Sequence, residues 1–325
     1  MHKIKTIAAL TIVLFVLSFG VGLATSSFVQ SDRLLNALPQ ATALAEPILV
    51  PQPVASPSRV NFAIFGMDND QTRADVVLVA SFNPETGRVA VLSIPRDTRV
   101  ELSEQTRAEL REAGRWFPSG GAVKMAEVHS YAGRQLGAKA ATHELGQMLD
   151  VAIDSYFVVN LDAFAKIVDD LGGVTLTLER NYYYVDPVQK LSINLQAGEQ
   201  TLDGKQAEGL VRFRAGYPMA DLDRIGVQQM FLKELFGQAL GSENIMKNAV
   251  TLAKAFLAYV ETNFTIIDAI KYASYIGKIN AENIVFETIP GTTKTMNGAS
   301  YFIVDEEAAR QLVNELFKDE QLDEG

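Results

Sequence analysis

Three short apolar runs, Val60–Phe65, Val76–Phe82 and Val89–Ile94, follow one another without the alternation of a half-buried strand. Unbroken β-branched runs of this length predict strands covered on both faces, and therefore a sheet held between layers of helices. The second and third runs are separated by NPETGR, with Pro at the second turn position and Gly near its end. That turn predicts an antiparallel hairpin. Helical patterns follow over Ala126–Leu149, Leu161–Leu171, Leu222–Leu240, Ile245–Val260 and Ile266–Lys278, the second closed by Gly172 and Gly173. Strand-like runs return in IVFETIPG and SYFIV, and DEEAARQLVNELF reads as a last helix capped by Asp305. The expected fold class is α/β, an α/β/α sandwich with a central mixed β-sheet flanked by helices. Pattern alone leaves the strand order open.

A different pattern precedes the domain. Lys3 and Lys5 are followed by an uncharged run from Thr6 to Phe28, long enough to cross a bilayer. A transmembrane anchor over 6–28 would keep residues 1–5 cytoplasmic and place everything after Ser31 outside. A cleaved signal peptide ending in the small residues around Ala24 is the competing reading. On either reading the folded part works across the membrane. Leu38–Arg59 carries five prolines among small residues, so 29–59 is expected to be an extended tether. The domain is expected over 60–318, with 319–325 an acidic tail.

Composition narrows the function. The 325 residues are 48% hydrophobic and 21% charged, enough to bury a sizeable core. A net charge of -10 argues against nucleic acid, whose binding needs clustered Lys and Arg. With no cysteine there is no disulfide, thiolate nucleophile or Cys-bound zinc, so any metal must sit on oxygen or on the three histidines.

Charges gather where the apolar runs stop. Asp68 and Asp70 follow the first strand, Arg73 and Asp75 precede the second, and Arg96 with Asp97 ends the third. A hairpin of strands two and three puts Asp75 beside Arg96, and strand one reaches the same edge if it runs parallel to strand three. Strand ends of open α/β sheets are where ligands bind. Arg212 and Arg214 in GLVRFRAG point to one side if that segment is extended. Asp221, Arg224 and Gln228 share one face of the following helix. Singly, an Arg–Asp pair is an ordinary solvated pair and Arg-x-Arg an exposed face. Together, guanidiniums that grip phosphate oxygens and aspartates suited to a hard cation such as Mg²⁺ describe a pyrophosphate site.

Four collinear segments carry a family resemblance: RADVVLVASFNPETGRVAVLSIPRDTRVEL, YFVVNLDAFAKIVDDLGGVTLTL, INLQAGEQTLDGKQAEGLVRFR and DLDRIGVQQMFLKEL. From about Phe62 to Phe317 the chain resembles the LytR-CpsA-Psr family of envelope proteins. The resemblance implies a membrane-bound phosphotransferase that moves a glycopolymer from a polyprenyl-pyrophosphate carrier onto a peptidoglycan acceptor. It implies pyrophosphate contacts at Arg73, Arg96, Arg212, Arg214, Arg224 and Gln228, with Asp221 supporting Arg224, and Lys124 as a further contact. Arg96, Asp75, Arg212 and Arg214 are the implied catalytic set. Asp68 and Asp75 are the implied ligands of Mg²⁺ (or Mn²⁺), with Asp70 the alternative to Asp68 because the loop before RAD is short. Asp97 is expected to orient the cluster. Val227 and Ala126 stand where the family often carries Arg and Asn, and His129 reads as a packed or hydrogen-bonding residue rather than a base. Phe and Leu in VQQMFLKELF are expected to line a groove for the polyprenyl tail or to serve as core. The alternatives are a binder or pyrophosphatase using the same site, and a transcriptional attenuator, which an acidic exported domain disfavours.

Overall fold

The computed structural model describes residues 59–189, 191–215, 217, 221–241, 260–265, 268 and 278–317. The apolar run Thr6–Phe28, the proline-rich stretch before Arg59, the acidic tail 319–325 and nearly all of the helices expected over Ile245–Val260 and Ile266–Lys278 lie outside them. Among the described residues no helix is long and apolar enough to cross a membrane.

The three apolar runs are β1 (Val60–Met67), β2 (Ala74–Phe82) and β3 (Val89–Ser93). β2 and β3 pair antiparallel from Leu78↔Ser93 to Phe82↔Val89, as the turn sequence predicts. Asn83 builds that turn: its Oδ1 accepts from the N–H groups of Glu85 (2.8 Å) and Thr86 (3.0 Å). Gly87 closes it at φ 76°, a conformation that favours glycine. β1 is antiparallel to β2 and therefore runs in the direction of β3.

In chain order the remaining elements are β4 (Arg99–Glu101), α1 (Glu104–Glu112), β5 (Ala122–Lys124), α2 (Met125–Leu149), β6 (Ser155–Val159) and α3 (Leu161–Asp170). Then come β7 (Val174–Leu178), β8 (Tyr182–Asp186), β9 (Leu191–Leu195), β10 (Gly198–Leu202), α4 (Gly204–Arg212) and α5 (Asp221–Gly241). The chain closes with β11 (Val260–Thr262), β12 (Ile284–Thr288), β13 (Gly291–Met296), β14 (Ala299–Val304) and α6 (Glu306–Phe317), the last capped by Asp305 through the N–H of Ala308 at 3.1 Å.

The central sheet has the order β11-β6-β1-β2-β3-β12 and is mixed: β6 and β1 are parallel, as are β3 and β12, and the other pairs are antiparallel. Both faces are covered. Phe65, Val79 and Leu92 pack with Val128 of α2 and Val313 of α6, while Phe62, Leu78 and Val91 pack with Phe236 and Ala239 of α5. Successive residues of each strand thus enter opposite cores, which is why the runs do not alternate. A third cluster joins β7 to β10 with α3, α4 and the buried Phe231 of α5.

Three expectations change. Val260 opens a strand at the sheet edge instead of closing a helix. The long helix over Ala126–Leu149 is broken at Gly133 (φ 74°, ψ 172°). Arg212 does not lie on an extended segment: it ends α4, and only from Phe213 (φ −62°, ψ 134°) is the chain extended. The cause is a capping box, in which Asp203 accepts from the Gln206 N–H at 2.8 Å and Gln206 accepts from the Asp203 N–H at 3.0 Å, followed by inward Ala207 and Leu210.

The start of α4 is pressed onto α3. A Cβ added at Gly204 would stand 2.0 Å from the Ala165 carbonyl oxygen. Gly204→Ala is therefore expected to destabilise the domain by about 1–3 kcal/mol, the usual cost of overpacking. A melting temperature equal to wild type would show that the two helices separate freely.

Candidate functional site

The strand directions bring the ends of β1 and β3 and the start of β2 to one rim of the sheet. Asp75, the second residue of β2, is ion-paired there with Arg96. The turn that presents Arg96 is tied down at both sides: Thr98 Oγ1 donates to the Pro95 carbonyl at 2.6 Å, and the Ala126 N–H donates to the Arg96 carbonyl at 2.9 Å.

Asp221, in the first turn of α5, collects three guanidiniums. Its Oδ1 is 2.5 Å from Arg224, 3.8 Å from Arg96 and 3.9 Å from Arg214. The Arg224 side chain is only 3% exposed and also donates to the Asp75 carbonyl at 3.0 Å. α5 is held in place by Gln229, whose amide donates to Ser93 Oγ (2.9 Å), Thr288 Oγ1 (3.0 Å) and the Glu287 carbonyl (3.0 Å). Gln228 donates to the Val211 carbonyl at 3.0 Å, linking α5 to the end of α4.

Cations and carboxylates interleave in this cluster, and burial bears on the guanidiniums. Burial pulls Arg224 down to about 10 against the pull of Asp221, which leaves it charged at neutral pH. Arg214 is also lowered, by burial first and by the neighbouring Arg96 second. Burial pulls Arg96 down too, but Asp75, Asp97 and Asp221 outweigh it and leave its pKa raised. The Nε atoms of Arg96 and Arg224 are buried with no acceptor.

One cavity of about 850 Å³ takes in most of the expected residues. Its polar end is lined by Asp68, Asp70, Arg73, Asp75, Arg96, Arg212, Arg214, Arg224 and Gln228. It continues between the sheet and α5 as an apolar pocket of Ile64, Leu78, Phe157, Phe164, Phe231 and Phe236. Phe231 and Phe236 thus serve at once as core and as cavity wall.

Two expected residues stand off the cavity lining. Asp221 is ion-paired with Arg224. Lys124 is instead paired with Asp97 at 3.0 Å, which is itself 3.9 Å from Arg96, so both brace the cluster from outside. His129 is 4% exposed, lowered by burial, and packed where a Cβ on Gly137 would meet its ring at 2.5 Å. It is a packed residue.

For a metal, the available donors are carboxylate oxygens. Asp68 accepts from the Thr72 N–H (2.8 Å), the Arg73 N–H (3.2 Å) and Thr72 Oγ1 (3.3 Å), and shares the cavity with Asp75. Among the described residues no group of three or more His, Asp or Glu could hold a metal ion. An all-oxygen pair suits Mg²⁺ completed by substrate phosphate and water, and does not suit a closed protein cage.

Sequence reasoning missed three contributors. Glu208 pairs with Arg212 at 2.5 Å, and Gln189, in the turn between β8 and β9, accepts from Arg212 at 2.9 Å. The i,i+4 spacing of Glu208 and Arg212 is visible once α4 is read as a helix. Arg180 lies over the rings of Tyr217 (4.6 Å), Tyr182 (5.2 Å) and Phe213 (5.7 Å), clamping the segment on either side of Arg214. No local spacing announces that contact.

Comparison with known proteins places the chain in a family. The profile of the LytR_cpsA_psr family matches residues 34–318. The polyisoprenyl-teichoic acid–peptidoglycan teichoic acid transferase TagU of Oceanobacillus iheyensis is 30% identical over 268 residues, covering 79% of this chain and 75% of that protein. Among solved structures, B. subtilis TagV superposes with a TM-score of 0.64 at 23% identity, covering 79% of this chain and 96% of that one. TagT bound to LI-WTA superposes at 0.58 and 24% identity, covering 80% and 89%. With a family profile spanning most of its length and a relative of this similarity, the chain belongs to the LytR-CpsA-Psr family.

Proposed function

We propose that the chain is a phosphotransferase that moves a glycopolymer from a polyprenyl-pyrophosphate carrier onto peptidoglycan. The observation that carries this reading is one cavity with five arginines at its polar end and an apolar pocket behind them. A headgroup carrying two phosphates and a hydrocarbon tail has that division of chemistry. The family and the name of the 30% identical relative support the same reaction class.

In this reading a sugar hydroxyl of the acceptor attacks the phosphorus bearing the glycopolymer, the bond from that phosphorus to the polyprenyl phosphate breaks, and the hydroxyl proton leaves to the departing phosphate or to solvent. Arg96, Arg212 and Arg214 neutralise the phosphoryl and leaving-group oxygens by position and electrostatics. Arg73, Arg224 and Gln228 complete the headgroup cradle, and Asp221 and Asp97 keep the guanidiniums aimed. Asp68 and Asp75 would hold Mg²⁺ or Mn²⁺, which supplies further charge neutralisation at the phosphates when bound. The apolar run Thr6–Phe28 would anchor the chain, with its domain outside the cytoplasmic membrane.

The test is to incubate the purified full-length chain with a polyprenyl-pyrophosphate-linked glycan, Mg²⁺ and peptidoglycan. A covalent glycan–peptidoglycan adduct is expected. Phosphate release without an adduct would identify a pyrophosphatase, and retention without turnover a binder. Chelation with EDTA is expected to stop adduct formation and Mg²⁺ or Mn²⁺ to restore it. Transfer that is indifferent to EDTA would remove Asp68 and Asp75 from any metal role.

A further inference from the structure

The hairpin of β8 and β9 projects an apolar surface beside the cavity mouth. Its strands pair Tyr183↔Asn194, Tyr184↔Ile193 and Val185↔Ser192. Tyr182, Leu191, Ile193 and Leu195 face inward and are buried in the third core. Beyond that buried base the rule of polar residues outward fails. Val188 at the turn is 92% exposed, Tyr183 is 70% exposed and Val185 is half exposed. Val188 also lines the cavity, together with Tyr184 and Gln189. A residue that both lines a cavity and is almost wholly exposed marks where that cavity opens.

Clustered exposed apolar residues mark interaction surfaces, whereas scattered ones are ordinary. Here Tyr184 and Val188 join the exposed tip to the apolar pocket, while Tyr183 and Val185 stand on the other face of the ribbon, so the tip is apolar on both faces and calls for an apolar layer around it. On the proposed reading the substrate arrives by its hydrocarbon tail from a bilayer, and the pocket must meet that bilayer without a water gap. Tyrosine and valine at a protruding tip are suited to the headgroup boundary, where a ring can sit in the apolar layer with its hydroxyl in water.

From this continuity we propose that the tip of the β8–β9 hairpin, Tyr183 to Val188, inserts into the headgroup region of the bilayer and seats the cavity mouth on the membrane. The inference rests on the lipid-carrier reading of the cavity.

The absence of cysteine makes the test direct. Val188→Cys in the full-length chain takes one environment-sensitive fluorophore, and the protein is reconstituted into vesicles of phosphatidylethanolamine and phosphatidylglycerol without substrate. The expected result is a blue-shifted emission that acyl-chain nitroxide lipids quench. A label at Gln105→Cys, on α1 in the other core layer, should show neither change. A label at position 188 that stays water-exposed, or is shielded equally with and without nitroxide lipid, would overturn the proposal, the second result meaning that protein covers the tip. As a functional arm, Tyr183→Asp with Val185→Asp is expected to lower transfer from carrier embedded in vesicles several-fold while sparing a short-chain carrier presented in solution. Equal rates from both carriers would also overturn docking. Failure of the wild-type chain to transfer from either carrier, with the label inserted, would instead count against the transferase reading alone.

Discussion

Arg96→Ala is expected to lower the rate of adduct formation by roughly 10²–10³-fold, the loss seen when one preorganised donor to a developing oxyanion is removed. Arg96 pairs with Asp75 and lies within 4 Å of Asp97 and Asp221, so its fork is fixed before any ligand arrives. Stability should fall less than activity. The Arg96 and Asp75 side chains keep 22% and 33% of their surface, which makes theirs a partly buried pair, costlier to break than the about 0–1 kcal/mol of an exposed one. Arg96→Lys should recover only part of the activity, because an ammonium cannot reproduce the planar fork. Initial rates of transfer set against thermal melts separate the two effects. A wild-type rate from the alanine variant would remove Arg96 from the site.

The second large effect falls on stability. Asp221→Asn leaves Arg224, 3% exposed, without its carboxylate and facing Arg96 and Arg214. Removing one partner of a buried pair costs about 3–5 kcal/mol, since the remaining charge stays desolvated. For a domain of this size that is a fall in melting temperature of roughly 2–4 °C for each kcal/mol. Arg224→Met added to Asp221→Asn should return a large part of the loss, because it removes the stranded charge. If the double variant is no more stable than Asp221→Asn, the penalty has another source, such as the start of α5.

These two residues also mark how far the chain could be read without coordinates. Arg96 is legible because Pro95 ends an apolar strand and the NPETGR turn dictates which strand lies alongside. Two local rules therefore place Asp75 beside it. Asp221 and Arg224 are legible as a pair from helical spacing alone. Arg212 is placed by neither residue alone: Arg-x-Arg is compatible with an extended face, while the capping box upstream, an equally local signal, makes α4 a helix that ends there. The Arg180 clamp and the Gln189 contact to Arg212 join residues 37 and 23 positions apart in sequence, and neither carries a spacing rule.

By itself the sequence determined the elements that obey short-range physics: doubly buried strands, the hairpin, the capped final helix, and the charged residues where strands stop. Strand order, the convergence of five arginines on one cavity and the apolar pocket behind them were decided by tertiary structure. Those features arise from packing two faces of a sheet against helices drawn from distant parts of the chain, and side-chain burial between such elements leaves no periodic trace along any one of them.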